Sequence, residues 1–537
     1  MQPTAAILTR DRRHPRVPAG LAVAALAVIG LVAVAPVYLV VRASEATASS
    51  WDLILRGRTL ALAGRTIGLT LAVTAATSVL GVSAAWLAVR TDIPGRRIWS
   101  TLFALPLVFP SYVGAFTLLA MLGPRGLLQG WLEPLGVERL PNIAGFTGAF
   151  LALTLFTYPY VYLVAASALR GIDPAWEEAA RTLGRSRWHS FRTVTLPLLR
   201  PAIAGGGLLV ALYVLHDFGA VSLMRYSTFT QAIFLQYRAA FDRTPAAILS
   251  LLLVALAVFV VAAEQRARGR ARYHRSGSGA TRQPRRITLG RWRTPAVLFS
   301  GALVTAALVL PSSVLGYLLV RGLREGVPLN LTLGAVGGSA LASTVGAAVT
   351  VAAALPLALL AARFPGALSR LGEGTAYVGY ALPGIVVALA FVFLTAGVPL
   401  LYQSLPLVVL AYVVLFLPQA VEPLKGGLLQ INPRIEEAGR TLGRSRAQVV
   451  RRVVLPALAR PALSAAALVC LTAMKELPAT ILLRPTGFET LATRVWTSAS
   501  AGLFSRAAVP ALLLVLVASV PLWALAGRLG MSERAPR

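Results

Sequence analysis

Twelve apolar blocks, each long enough to cross a bilayer, constrain this chain more than any other feature. They fall near residues 19–42, 66–89, 101–122, 143–169, 201–222, 245–264, 295–320, 332–362, 375–398, 402–421, 462–483 and 505–527. A spanning helix needs about 20 apolar residues. In lipid every backbone N–H and C=O must be satisfied within the protein, which leaves helices or closed barrels. The blocks lack the alternation of barrel strands. The expectation is an all-α membrane protein with about twelve transmembrane helices. Composition agrees: 57% of the 537 residues are hydrophobic and 13% charged, against about 45–50% and about 25% in soluble chains.

The net charge of +31 does not signal nucleic acid, because the charge sits in the short segments between apolar blocks. Most of the 51 Lys and Arg residues fall on the inner side when both termini are cytoplasmic, as the positive-inside bias requires. The segment carrying Arg56, Arg58 and Arg65 runs against that bias. Arg10, Arg12, Arg13 and Arg16 precede an apolar run from Ala19 to Val41. That run exceeds the roughly 7–15 residues of a signal-peptide core, so it reads as an uncleaved first span. The single cysteine, Cys470, excludes an intrachain disulfide and a cysteine-based metal site. His14, His189 and His274 are scattered, and no metal site is expected.

The chain repeats itself. Glu178 pairs with Glu437, Gly184 with Gly443, Pro197 with Pro456, Asp217 with Glu476 and Arg225 with Arg484, each 259 residues apart. Ala-Leu-Pro at 104–106 recurs at 381–383 with a slightly larger offset. Six blocks per half give both halves the same orientation, a parallel repeat about an axis along the membrane normal. Between them, Glu264 to Arg293 holds ten arginines and no apolar periodicity, and reads as a linker. The expected organisation is a tail, first helix and outer loop (1–59), a first membrane domain (60–265), the cytoplasmic linker (266–293), a seventh helix and loop (294–334), a second membrane domain (335–528) and a tail (529–537).

The longest polar segments within each half, 170–200 and 422–460, share one grammar. Asp173 and Asn432 are placed to cap a helix, with Pro174 and Pro433 at its first position. Glu177, Glu178, Glu436 and Glu437 lie in the opening turns, near the positive dipole end. Gly184 and Gly443 fit a left-handed C-terminal cap. Ser186 and Ser445 start a second helix, which Pro197 and Pro456 are expected to close. Ala179, Ala180, Ala438 and Gly439 keep the first helix small-sided, open to close approach by another surface.

Glu-Ala-Ala at 178–180, followed by Gly184 and by Val194, Leu196 and Pro197, resembles the signature loop of ABC importer permeases. The same pattern stands at 437–456, with Gly439 in place of the second alanine. The resemblance covers roughly residues 60–265 and 335–528. It implies a type I ABC importer permease fold, in two parallel six-helix repeats, at the cell (inner) membrane. It implies that the loops dock on a separate ATP-binding subunit, expected as a homodimer, and that a periplasmic or extracellular binding protein delivers the cargo. Membrane lipid is the remaining partner. No cofactor is expected on this chain; ATP and magnesium belong to the partner. The residues agree, since a phosphate-binding loop needs Gly-Lys, and neither Lys425 nor Lys475 follows a glycine. The chain therefore reads as a transport subunit and not an enzyme.

Asp-Phe-Gly-Ala at 217–220 and Lys-Glu-Leu-Pro-Ala-Thr at 475–480 resemble fused ferric-iron permeases of this superfamily. Thiamine permeases are similarly fused, and sulfate, spermidine and phosphonate permeases share the loop. Ionisable residues within spans are costly and mark functional sites by default. His216, Asp217, Lys475 and Glu476 are thus candidates for a translocation path or gate, and carboxylates suit a hard cation. The alternative is a structural pairing that holds helices in place. Arg225 and Arg484 are candidates for binding-protein docking, or for headgroup anchoring. Two rivals from other classes remain: a secondary transporter, which would not need paired capped loops, and a membrane enzyme, which would need polar catalytic loops.

Overall fold

The computed structural model describes residues 17–45, 57–124, 126–239, 244–268, 286–327 and 330–530. The N-terminal and C-terminal tails and linker residues 269–285 lie outside the described residues. Among those described, the regular structure is helical apart from one isolated β-bridge. Eight helices are long and apolar enough to cross a membrane, and up to eleven if each of three bent pairs is one span. The last expected span, 505–527, falls on a helix that runs from Phe504 to Gly530.

The first half comprises α1 (Ala19–Ser44), α2 (Gly57–Arg90), α3 (Arg96–Leu102), α4 (Ser111–Leu122), α5 (Phe146–Gly171), α6 (Pro174–Thr182), α7 (Leu196–His216), α8 (Gly219–Leu223), α9 (Phe229–Ala239) and α10 (Thr244–Arg268). The second comprises α11 (Arg293–Val304), α12 (Leu310–Arg324), α13 (Asn330–Arg363), α14 (Ala367–Ala381), α15 (Gly384–Thr395), α16 (Leu405–Gln430), α17 (Pro433–Thr441), α18 (Ala459–Met474), α19 (Pro478–Leu483), α20 (Leu491–Ser500) and α21 (Phe504–Gly530). Arg58 and Arg65 lie on α2 itself, so that part of the chain is helix and not the loop its charges suggested.

Equivalent helices match in length. Helices α2 and α13 have 34 residues each, α4 and α15 have 12, and α5 and α16 have 26. The repeat has two registers, however. Arg90 pairs with Arg363 and Ser111 with Gly384, 273 residues apart, whereas from α5 onward the offset is 259. The change is absorbed after α4, where residues 123–145 stand against only 396–404 in the second half. This corrects the pairing of the two Ala-Leu-Pro stretches. The structural partners are Pro110 and Pro383, which precede α4 and α15 with the same extended backbone (ψ 146° and 141°). Pro106 sits earlier, in a 3-10 turn.

Pro197 also differs from expectation, because it does not close a helix, whereas the helix carrying Pro456 ends one residue later, at Ala457. The chain widens into π-helical turns at Phe191–Thr195 and Val450–Val454. It continues as α7 past Pro197, but past Pro456 it ends at Ala457 and resumes at Ala459 with a 55° bend. A third π turn, Thr305–Val309, precedes Pro311 in the same way. Proline lacks an N–H and its ring clashes with the carbonyl four residues back. A π turn displaces that carbonyl without ending the helix.

Within the first half, α2, α5 and α7 pack mutually, and α13, α16 and α18 do so in the second. Small residues allow this closeness. A Cβ on Gly81 would lie 2.8 Å from the Tyr162 backbone nitrogen, and one on Gly206 2.9 Å from the Val161 Cα. The halves are also interleaved. Helix α1 lies against α13, α14 and α15 of the other half, while α12 packs on α4 as well as α21. Ile29 and Val32 of α1 meet α14 at Gly372 and Gly379. The Gly81 crossing yields a prediction. Gly81→Val drives a branched side chain into backbone, a clash that typically costs about 1–3 kcal/mol. A lowered melting midpoint in detergent is expected, whereas Gly68→Ala, with nothing within 4 Å, should leave it unchanged.

Candidate functional site

Two regions gather the residues singled out from the sequence: the paired loops after α5 and α16, and a cluster between the halves. In the loops, Asp173 Oδ1 accepts the Ala175 amide and Asn432 Oδ1 the Arg434 amide, each at 3.0 Å. Gly184 and Gly443 take φ of +75° and +80°, a region where a Cβ is penalised. Ser186 and Ser445 accept amides three residues on. Only the second loop completes a capping box, with Gln448 Oε1 accepting the Ser445 amide at 3.1 Å.

The adjacent glutamates in each loop point in opposite directions. Glu178 and Glu437 are exposed, as are Ala179 and Ala438. Glu177 and Glu436 turn inward to arginines that end the long helices. Arg363 donates through Nε to Glu436 at 2.9 Å and through Nη2 to the Ile431 carbonyl at 3.0 Å. Its counterpart Arg90 is buried and looser, 3.5 Å from Glu177, with Nε and Nη2 lacking hydrogen-bond partners. Glu177 instead accepts from Thr195 Oγ1 at 2.7 Å. These arginines were missed from the sequence. Their signal was an arginine shortly before Pro-Gly, Arg90 before 94–95 and Arg363 before 365–366, with the two arginines 273 residues apart.

The small position Gly439 serves the loop's own fold: a Cβ there would lie 3.1 Å from Val449. The outward face is apolar, with Trp176 and Leu183 exposed on the first loop and Ile435 and Leu442 on the second. Beside Arg90 the end of the linker docks. Ile287 donates to the Arg90 carbonyl, and Asp92 Oδ1 accepts the Leu289 amide. The end of the linker is therefore anchored on the first half.

The second region is a cavity of about 320 Å³ lined by both halves, with His216, Asp217, Lys475, Glu476, Tyr112 and Gln419 on its wall. His216 and Lys475 are repeat equivalents and reach across in opposite directions. His216 Nε2 lies 3.2 Å from the Ala381 carbonyl, which makes that nitrogen the N–H bearer. Lys475 Nζ donates to the Leu107 carbonyl at 2.9 Å. Asp217 and Glu476 stay within their own halves. Each ends a broken helix and accepts amides of the short helix that follows: Asp217 from Ala220 and Val221, Glu476 from Ala479. No Lys475–Glu476 ion pair forms among the described residues. The Tyr112 hydroxyl lines the cavity with no partner.

The docking candidates are not alike. Arg225 is exposed, with φ +53°. Arg484 turns into its own loop, donating to the Phe488 carbonyl at 2.9 Å.

A duplicated helical membrane protein with paired loops and a two-sided central cavity defines a transport permease. The family described as binding-protein-dependent transport system inner membrane component matches residues 77–272 and 354–529, and the chain belongs to it. Over 494 residues it is 33% identical to the Fe(3+)-transport system permease protein FbpB 2 of Haemophilus influenzae, covering 91% of this chain and 94% of that one. It is 38% identical over 146 residues to the molybdenum transport system permease protein ModB of Escherichia coli, 26% of this chain and 60% of that one. It is 30% identical over 174 residues to the sulfate transport system permease protein CysT of Escherichia coli, 32% and 62%. This is thus a multi-pass membrane transport subunit with two permease units on one chain.

Two predictions follow from the loop geometry. A hydrogen bond to a charged group typically contributes about 1.5–3 kcal/mol. Arg363→Met should therefore expose the second loop to limited proteolysis more than Arg90→Met exposes the first, because only Arg363 bonds its glutamate closely. Gly443→Val, which places a branched side chain at positive φ, should reduce recovery of the ATP-binding subunit with the purified chain. Wild-type recovery for both Gly443→Val and Gly184→Val would rule out these loops as its contact.

Proposed function

We propose that the chain conducts ferric iron inward, received from a binding protein on the outer side and driven by two copies of a separate ATP-binding subunit, one on each paired loop. One observation carries the cargo assignment: the likeness to the Fe(3+) permease spans both halves and 94% of that protein, whereas the molybdenum and sulfate relatives match over a shorter stretch. ATP and magnesium act on the partner subunits, and both termini lie in the cytoplasm. The exposed faces around Trp176 and Leu183, and around Ile435 and Leu442, offer apolar contact beside Glu178 and Glu437. Arg225 is exposed on the side opposite the loops and supports docking of the binding protein; Arg484 acts by shaping its own loop.

The cluster between the halves works in this reading as a gate. The two bonds His216 to Ala381 and Lys475 to Leu107 join halves that must separate for cargo to pass. Asp217 and Glu476 hold the broken helices in shape beside the cavity.

Deletion of the gene should abolish accumulation of radiolabelled ferric iron by whole cells. Normal iron uptake with lost thiamine, molybdate or sulfate uptake would move the cargo assignment. For the gate, Lys475→Met removes one cross-half bond, and a charged hydrogen bond of about 1.5–3 kcal/mol corresponds to roughly a tenfold or larger population shift. Cargo-independent ATP hydrolysis by the reconstituted complex should rise accordingly. Unchanged hydrolysis would return Lys475 to a packing role.

A further inference from the structure

The two carboxylates at the helix breaks differ in length, and the residues facing them differ in the opposite sense. In the first half the short Asp217 is met by Ser111, whose hydroxyl donates to Asp217 Oδ2. Ser111 opens α4, directly after Pro110. In the second half the equivalent position, directly after Pro383, is Gly384. A Cβ there would lie 2.6 Å from Glu476 Oε1 and 3.4 Å from its Cδ. The longer glutamate thus occupies the volume that the serine side chain fills in the first half. Both carboxylates still bond the amide three residues on, at 2.9 Å from Ala220 and 3.0 Å from Ala479.

We infer that Ser111 and Gly384 are positioning residues of the gate, forming with Asp217 and Glu476 two size-complementary latches. One is a serine with a short carboxylate, the other a glycine with a long one. Each latch seats the turn before α4 or α15 against the break in α7 or α18. Those turns also bring the cross-half acceptors, Leu107 and Ala381, up to Lys475 and His216. A poorly seated turn therefore misplaces a carbonyl of the opposite tether. The latch contacts lie within one half, so they persist while the tethers break, and the turn moves as a unit with the broken helix. This inference rests on the gate reading of the same cluster.

The test exchanges the two solutions. Gly384→Ser alone forces a side chain onto Glu476, and Glu476→Asp alone leaves the carboxylate short of the glycine. The double variant rebuilds the first half's arrangement in the second, and Ser111→Gly with Asp217→Glu does the reverse. Four readouts apply to the permease–ATPase complex: its amount in membranes, its melting midpoint, cargo-independent ATP hydrolysis, and cellular uptake of radiolabelled ferric citrate. Gly384→Ser should lower uptake about tenfold or more, and the double variant should recover to within about threefold of wild type, because contacting residues couple non-additively. If Gly384→Ser fails to accumulate, accumulation itself becomes the quantity the double variant must restore. A double variant no better than the poorer single variant, or a wild-type-like Gly384→Ser, overturns the latch. Rescue of melting midpoint with uptake and hydrolysis unchanged throughout would uphold the pairing and overturn the gate reading beneath it.

Discussion

A helix that breaks inside a membrane protein frees backbone amides that no water can satisfy, and the centre of this molecule is organised around that problem. At His216 and at Lys475 the chain leaves helical geometry while surrounded by apolar side chains. The carboxylates of Asp217 and Glu476 accept the amides of the next short helix, and Thr230 and Thr480 donate to the backbone carbonyls of the same two residues. Non-helical backbone at membrane depth is tolerated only where protein or a cavity surrounds it. Here both conditions are met, and the cavity lies where the two halves face each other. The ionisable residues are thus structural in what they bond, and they stand on the wall of that cavity.

The same economy links the centre to the paired loops. Helices α2 and α13 run 34 residues each and end in Arg90 and Arg363, which face the first glutamate of each loop, closely only at Arg363. Helix α7 leads from the π turn after the first loop up to its break, and α18 leads to its break after a 55° bend that follows the second π turn. Each loop is therefore joined at one side to a helix of its half's core and at the other to the helix that ends at the cavity. The halves are not equal: the second loop is tightly clamped, and the first carries the linker end and a loose arginine. The two loops therefore present differently braced surfaces.

Much of this was legible in the residues. The repeat, the capped loops, the glycines at positive φ and the dyads 216–217 and 475–476 all follow from local rules: cap chemistry, the left-handed penalty, and the cost of charge in apolar spans. Three things were not. Pro197 looked like a helix end, as Pro456 nearly is, because proline removes a bond, and sequence does not tell whether the helix stops or widens around the gap. The arginines at 90 and 363, and the pairing of Ser111 with Gly384, stayed hidden because the 14-residue difference after α4 splits the repeat into two registers. Gly439 looked like an outward docking position, but its neighbour Val449 lies on the adjoining helix, a distance only the folded loop defines.

The sequence by itself determined the solvent, the helical class, the duplication and the loop helices, because hydrophobic length and capping act over a few neighbouring residues. The tertiary structure decided what those elements do to one another. It set α1 against the opposite half and sent His216 and Lys475 to carbonyls across the interface. It also matched each carboxylate's length to the side chain facing it. These are contacts between residues from about a hundred to several hundred positions apart, and their geometry depends on how helices cross rather than on what any one helix prefers.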